Sequence, residues 1–200
     1  LGYSASGKVL AVGTGVDGRF QVDDKVAICG AGIANHSELN VVPQNLAAHI
    51  PTGVSYDEAS FGTVGAIALH AVRNLDAKLG EIVAIFGAGI IGQLAAQILK
   101  LSGVRAILLD YDQSRLNLAK KLGAEKCYNL DSKNIKTNID SITKAIGVDG
   151  VIIAASTGSS DPFILAAEIA RDRARVCLVG ASGTKFPYAA FMKKEMSIIV

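Results

Sequence analysis

The chain has 200 residues, half of them apolar and 19% charged, so it can bury a core and lacks the composition of a disordered segment. Its 20 Lys and Arg against 18 Asp and Glu leave a formal charge of +2, which excludes the strong basic field of a dedicated nucleic-acid binder. Glycine, at 21 residues without a repeat period, points to tight turns and close backbone approaches rather than to collagen.

The first fifty residues read as β-rich. Lys8 to Gly13 is a short apolar strand, Gly15 to Gly18 a turn, and Gln21 to Ile28 a turn running into a strand. Glu38 to Val42 reads as a further strand, stopped by Pro43. From Tyr56 to Leu79 the apolar spacing becomes helical, with Ser55 as N-cap and Glu58 completing a capping box.

From Gly80 strands and helices alternate. Strands are predicted at Ile82–Phe86, Ala106–Leu109, Lys126–Leu130, Val151–Ala155, Arg175–Val179 and Met196–Val200. Helices are predicted at Ile90–Leu101, Ser114–Leu122, Ile139–Ile146 (ended by Gly147), Pro162–Ala170 and Phe191–Lys194. Wholly apolar strands alternating with helices imply a parallel sheet covered on both faces. The predicted class is α/β, a doubly wound sheet of six strands preceded by part of a β-rich domain.

Cys29, Cys127 and Cys177 form no C-x-x-C pair, which argues against a disulfide framework or a zinc lobe and predicts reduced thiols in a cytoplasmic protein. The longest apolar run, Ile82 to Gly92, is too short to span a bilayer. The chain opens on Leu1 without Met and stops within the apolar Ile198-Ile199-Val200, which predicts a piece of a longer protein.

One motif carries chemistry. Gly87-Ala88-Gly89-Ile90-Ile91-Gly92 is a G-x-G-x-x-G directly after one predicted strand and opening one predicted helix. Gly87 permits the turn, Gly89 lets a pyrophosphate approach the backbone, and Gly92 lets the helix pack on the sheet. The helix start offers unpaired N–H groups and about half a positive charge, so no Lys or Arg is needed. The Gly-Lys-Ser/Thr ending of a P-loop is absent. Asp110, 18 residues after Gly92, ends the second strand. A carboxylate there accepts hydrogen bonds from adenosine ribose hydroxyls and repels a 2′-phosphate, which favours NAD(H) over NADP(H).

Arg115 can stack on adenine, bridge back to Asp110, or be a solvated helix charge. Ser156-Thr157-Gly158 and Gly180-Ala181-Ser182-Gly183 follow the fourth and fifth strands, at the sheet edge where ligands bind. They suit the nicotinamide half of a dinucleotide, or are turn residues chosen for backbone shape. Arg171, Arg173 and Arg175 read as a solvated edge, and Gln93 and Gln97 as a polar stripe on the glycine-loop helix.

These residues resemble the medium-chain dehydrogenase/reductase superfamily, the zinc-alcohol-dehydrogenase-like proteins. Leu1 to Val9 is similar to its G-H-E-x-x-G-x-V segment and Val22 to Val26 to its V-G-D-R-V turn. Ser37 to Pro43 resembles its A-E-Y…V-P strand, Ile50 to Ser55 its I-P-D-G-(L/V)-S link, and Lys121 to Ala124 completes the pattern. The resemblance implies a GroES-like part over residues 1–57, a linking helix over 58–79 and a Rossmann domain over 80–200. Tyr3 and Ser4 stand where zinc-dependent members carry His and Glu, and Thr63 where they carry Cys or Glu. Only Cys29 appears where the four-cysteine lobe should lie. The resemblance therefore points to the zinc-free branch, with no metal site. A narrower likeness, in Leu1 to Ser4, Ala34 to His36 and Phe186 to Glu195, is to the first half of two-part oxidoreductases of bacterial polysaccharide clusters.

Without zinc, a substrate carbonyl must be polarised by hydrogen-bond donors. Tyr3 is the first candidate, Thr63 the second, and His36 a proton relay; each is equally readable as a packing, core or loop residue. His70 reads as packing and His49 as surface. The function these residues imply is NAD(H)-dependent hydride transfer with a small carbonyl, alcohol or sugar-derived substrate. A non-catalytic NAD(H)-binding or sensing module is the alternative, and a zinc enzyme with displaced ligands a third. A small-molecule substrate is the expected partner, with neither nucleic acid nor membrane; a homodimer and a further domain in the same chain are compatible with the resemblance.

Overall fold

The computed structural model describes residues 2–200. The chain divides into two compact units, Leu1–Ala66 and Ile67–Val200. In the first, β1 (Ser4–Lys8), β2 (Lys25–Cys29) and β3 (Ala47–His49) form an antiparallel sheet in that order, with a 3₁₀ turn at Gln44–Leu46. The short helix α1 (Tyr56–Ala59) carries the predicted capping box: Ser55 Oγ accepts from the Glu58 N–H and Glu58 accepts from the Ser55 N–H. Helix α2 (Gly62–Leu75) crosses from the first unit into the second.

Three expectations for the first 79 residues are corrected. The strand placed at Lys8–Gly13 lies at Ser4–Lys8, because its partner starts only at Lys25, opposite Lys8. Beyond that pair, Asp23 adopts a left-handed φ of 76° and turns the partner chain away, leaving Leu10 exposed. Glu38–Val42 is irregular. Asn40 bonds the backbone of Asn35 and Ser37, and the Ser37 hydroxyl donates to the Leu39 carbonyl, so local side-chain bonds displace a ladder. The edge of β2 is taken instead by Ala47–His49. The long helix predicted over Tyr56–Leu79 is two helices, the second stopped at Leu75 by the left-handed Asp76 (φ 53°).

The second unit runs β4 (Ile82–Phe86), α3 (Ile90–Leu101), β5 (Arg105–Asp110), α4 (Gln113–Lys121), β6 (Lys126–Asn129), α5 (Ile135–Thr143), β7 (Val148–Ile153), α6 (Asp161–Ile169), β8 (Ala170–Leu178), α7 (Tyr188–Lys193) and β9 (Ser197–Ile199). The strands form a parallel sheet in the order β6-β5-β4-β7-β8-β9. This is the predicted doubly wound α/β sheet, with its switch point between β4 and β7. All of β4 is buried, and its side chains alternate between two cores. Ile82, Ala84 and Phe86 pack with Ile139, Phe163 and Phe191, whereas Val83 and Ile85 pack with Leu75, Leu99 and Leu116.

Two boundaries move for backbone reasons. Helix α5 ends at Thr143 rather than running to Ile146, because Lys144 and Ala145 are left-handed (φ 54° and 62°). Strand β8 begins at Ala170, five residues before the expected start, with a register shift that places Arg173 at φ 59°.

The arginine run lies at a solvated edge, as expected for Arg173 and Arg175, and each of its members is also ion-paired, with Arg171 half-buried. Arg171 donates to Asp149 at 2.6 Å and lies 3.5 Å from Glu81; Arg173 pairs with Glu195 at 2.7 Å and Arg175 with Asp76 at 3.0 Å. Asp149 also accepts the N–H of Ile82 at 2.7 Å, so one carboxylate joins the amino ends of β4, β7 and β8. Among the described residues no helix is long and apolar enough to cross a membrane. The three cysteines are free, and burial pushes the Cys127 and Cys177 thiols up. Asp149→Ala leaves the Ile82 N–H and the Arg171 guanidinium without their acceptor. A loss of about 2 kcal/mol is expected in a denaturant titration, with the far-UV spectrum unchanged.

Candidate functional site

A cleft of about 810 Å³ opens at the carboxyl ends of the central strands. It is lined by Phe86 ending β4, Asp110 ending β5, Leu130 beyond β6, and Ala154 to Thr157 beyond β7. Ligands of open α/β sheets bind at this edge, beside the switch point.

The glycine loop forms one wall. Gly87 sits at φ +96°, a conformation L side chains avoid, and its N–H donates to the Leu109 carbonyl at 2.8 Å. A Cβ on Gly92 would overlap the Gly87 carbonyl oxygen, so only glycine lets α3 start so close to the strand. Gly89 differs: it is the N-cap of α3 with ordinary extended backbone, and a Cβ there would meet nothing within 4 Å. The N–H groups of Gly89, Ile90 and Ile91 have no acceptor among the described residues. They stand at the positive end of a twelve-residue helix, beside the cleft that Gly89, Ile90 and Ile91 line. Ala88 is 1% exposed and points away from the cleft.

Asp110 is 9% exposed and lines the cleft. Its Oδ2 accepts the Ala88 N–H at 2.6 Å and its Oδ1 the Asp112 N–H at 2.8 Å. A carboxylate accepts about four hydrogen bonds, so each oxygen keeps a lone pair for a ligand hydroxyl. Asp112 caps α4, and the Ser114 hydroxyl, then the N–H groups of Ser114 and Arg115, hold its carboxyl below the ordinary range. Arg115 Nε lies 3.5 Å from Asp112, and the guanidinium comes within 3.9 Å of Asp110. Of the three readings of Arg115, bridging back to the carboxylates is the one in this geometry, while the residue still lines the cleft.

The two later loops part company. Ser156 and Thr157 line the cleft. Gly180 does not; its N–H donates to Ile153 at 2.9 Å and a Cβ would overlap the Ala155 carbonyl, so its place is a turn packed under the neighbouring loop. Tyr111, Leu130, Ser159, Asp161 and Leu165 also line the cleft and were not singled out from the sequence. Tyr111 and Leu130 directly follow strand ends, a signal that was available; the other three needed the position of α6. Gln93 is not a polar stripe: it is 7% exposed and bonds the Ala88 and Arg115 carbonyls.

Tyr3, Thr63 and His36 lie in the first unit. Tyr3 is 41% exposed, at the start of β1. The Ser4 hydroxyl donates to the Ser60 carbonyl at 2.5 Å and accepts the Thr63 N–H at 3.2 Å, and Thr63 Oγ1 contacts the Ile28 carbonyl at 3.4 Å. His36 is exposed and its ring packs against Gly2. No hydrogen bond joins Tyr3, Thr63 and His36 to one another among the described residues. Nor is there, among those residues, a group of three His, Cys, Asp or Glu arranged to hold a metal.

The family model described as zinc-binding dehydrogenase matches residues 91–200. Sorbitol dehydrogenase of Halalkalibacterium halodurans is 26% identical over all of this chain and 66% of its own length. L-threonine 3-dehydrogenase of Vibrio cholerae is 30% identical over 74% of this chain and 51% of its own. Among solved structures, the alcohol dehydrogenase of Thermus sp. ATN1 superposes with a TM-score of 0.86 at 25% identity, covering all of this chain and 69% of that one. The chain spans about half to two thirds of the length of such curated relatives. With more than half of its residues matched by the family model and a doubly wound sheet in the expected order, the chain belongs to the zinc-binding dehydrogenase family of the medium-chain dehydrogenase/reductase superfamily.

Proposed function

We propose that the chain holds NAD(H) in the cleft and is part of an oxidoreductase acting on a small carbonyl, alcohol or sugar-derived substrate. The observation that carries this is the pairing of an open Gly89, backed by free N–H groups, with a nearly buried Asp110 that keeps two lone pairs. The glycine loop and helix start receive the pyrophosphate by N–H donation and helix dipole. Asp110 accepts from the adenosine ribose hydroxyls, and with Asp112 beside it disfavours a 2′-phosphate. Ser156 and Thr157 lie along the nicotinamide half. When bound, the nicotinamide supplies or accepts the hydride; the chain supplies position and electrostatics.

Residues 1–57 are, in this reading, the end of a GroES-like catalytic part, 58–79 a link and 80–200 the dinucleotide domain. The residues present do not fit a catalytic zinc. Of the positions aligned with its ligands, the Ser4 hydroxyl donates to the Ser60 carbonyl and accepts the Thr63 backbone N–H, the Thr63 hydroxyl faces the Ile28 carbonyl, and Tyr3 offers a phenol where a His, Cys or carboxylate is needed. Substrate oxygen is then polarised by hydrogen-bond donation, for which Tyr3 is our first assignment, Thr63 the second, and His36 the proton relay. The commitment of Thr63 to Ile28 and Ser4 also favours a second reading, an NAD(H)-binding module without turnover. Hydride exchange from labelled NADH into a panel of carbonyls separates the two, since the module shows none. The three unpaired thiols support a cytoplasmic setting.

Calorimetry is expected to show NADH bound more tightly than NADPH; no NADH binding at millimolar concentration would end the proposal. Asp110→Ala removes the ribose acceptor and the partner of the Ala88 N–H. NADH affinity is expected to fall at least tenfold, and the NADH-to-NADPH ratio to approach one. An unchanged ratio would show that Asp110 does not face the ribose.

A glycine pair separates binding from folding. Gly89→Val places a branched side chain in the open space by the loop and is expected to abolish NADH binding with little change in thermal midpoint. Gly92→Ala overlaps the Gly87 carbonyl and is expected to cost roughly 3 kcal/mol of stability. Equal stability losses in the two variants would contradict the distinction drawn between these positions.

A further inference from the structure

Gln93 lies in the first turn of α3 with 7% of its surface exposed, among the buried Gly92, Ala95 and Ala96. Its Nε2 donates to the Ala88 carbonyl at 3.1 Å and to the Arg115 carbonyl at 2.9 Å. Both partners are acceptors, which fixes that end of the amide as the donor. Its Oε1 is buried and without a partner among the described residues. A buried acceptor left open is costly, and a leucine would fill the same space without that cost. The amide must therefore offset its burial by what its two donations hold in place.

They hold one peptide. Asp110 takes the Ala88 N–H, and Gln93 is the partner of the Ala88 carbonyl. In a planar trans peptide the C=O of Ala88 and the N–H of Gly89 point in opposite directions. With the carbonyl drawn inward to Gln93, the Gly89 N–H turns outward, on the side where the cleft lies and where the Gly89 N–H has no acceptor. Without the amide the Ala88 carbonyl is a buried acceptor with no donor. A flip of the Ala88–Gly89 peptide would then relieve it by presenting an oxygen, rather than an N–H, to the cleft. An anion that the loop should attract would meet a partial negative charge instead.

We propose that Gln93 is a positioning residue for the cofactor's pyrophosphate: by accepting burial it locks the Ala88–Gly89 peptide with its N–H toward the cleft. The assignment rests on the reading of the cleft as an NAD(H) site. Its second bond, to the Arg115 carbonyl at the first turn of α4, fixes the orientation of the amide itself.

The test uses Gln93→Leu, Gln93→Met and Gln93→Glu in the full chain, titrated with NADH, ADP-ribose and adenosine and followed by denaturant melting. Leu and Met remove the open Oε1 but leave the Ala88 carbonyl without its donor, so the denaturant midpoint is expected to move little. They should weaken NADH and ADP-ribose in parallel by about tenfold, while adenosine, which has no phosphate, changes less than twofold. This corresponds to one hydrogen-bonded orientation lost, about 1.4 kcal/mol. In Gln93→Glu an ionised carboxylate cannot donate to the Ala88 carbonyl and its protonated form can. NADH affinity of that variant should recover as the pH falls from about 8 to about 5, a dependence that the wild type lacks. If wild-type NADH binding is intact and Gln93→Leu binds as well, or if adenosine weakens as much as NADH, the positioning role is overturned. If the wild type binds no NADH, the cleft reading fails and takes this inference with it.

Discussion

Ala88 is held at both ends of its backbone, its N–H by the Asp110 carboxylate and its carbonyl by the Gln93 amide. The residue itself contributes only a buried methyl group. Those two bonds decide the shape of the glycine loop, because the preceding Gly87 is already pinned to Leu109 and the following Gly89 opens α3. The strand end, the helix start and the acidic end of the neighbouring strand thus form one hydrogen-bonded unit. The same Asp110 that would read a ribose also completes the loop that would hold a phosphate. Binding and local folding are for that reason coupled at this carboxylate in a way that the bare motif does not show.

The opposite edge of the sheet is organised by charge. Asp149 gathers Arg171 and the Ile82 N–H, and Arg175 reaches Asp76 and the Leu75 carbonyl at the end of α2. The Arg171–Asp149 pair is half-buried and so less screened than an ordinary surface bridge, whereas Arg175 and Asp76 are exposed. These pairs secure the amino ends of β4, β7 and β8 while leaving the carboxyl ends free to vary. This division of labour suits a fold in which stability and ligand binding use opposite edges of one sheet. Each guanidinium of the three-arginine run has a carboxylate partner.

How far the sequence could be read differed sharply between the two units. In the second, β4 and α3 fall at the expected residues, because five consecutive buried apolar residues and a glycine turn leave one arrangement open. The α5 and β8 boundaries moved because left-handed Lys144, Ala145 and Arg173 have no glycine or asparagine to announce them. In the first unit the strands are short and half-exposed, so pairing rather than hydrophobic pattern selects them. Val41 looks like a strand residue yet is almost fully exposed, because Asn40 satisfies the local backbone from its own side chain. At the site, Gly89 and Asp110 were legible from spacing. Gln93 was not, since a polar residue on a helix reads as surface until the packing of α4 against it is known. Gly180 was readable as a loop glycine, but its distance from the cleft lining depends on how the β7 and β8 loops stack.

Charge at the adenosine end brings these observations to one point. Asp110 and Asp112 stand within reach of a single guanidinium, Arg115, which leaves one negative charge uncompensated there. In the proposed reading a 2′-phosphate would approach that excess. Like charges brought close together there repel, which lowers the affinity for a 2′-phosphate. A plain ribose meets no such term and gains the open lone pairs of Asp110. The pyrophosphate end works the other way: it carries no Lys or Arg, only backbone N–H groups and a helix terminus, so its attraction is short-ranged and depends on orientation. In that reading, selectivity at one end would come from fixed charge, and affinity at the other from a fixed peptide. Arg115 and Gln93 meet at the first turn of α4, where the Arg115 carbonyl accepts from the Gln93 amide. The two devices meet there but act through different groups, the carboxylates of Asp110 and Asp112 on the ribose side and the Ala88–Gly89 peptide on the phosphate side.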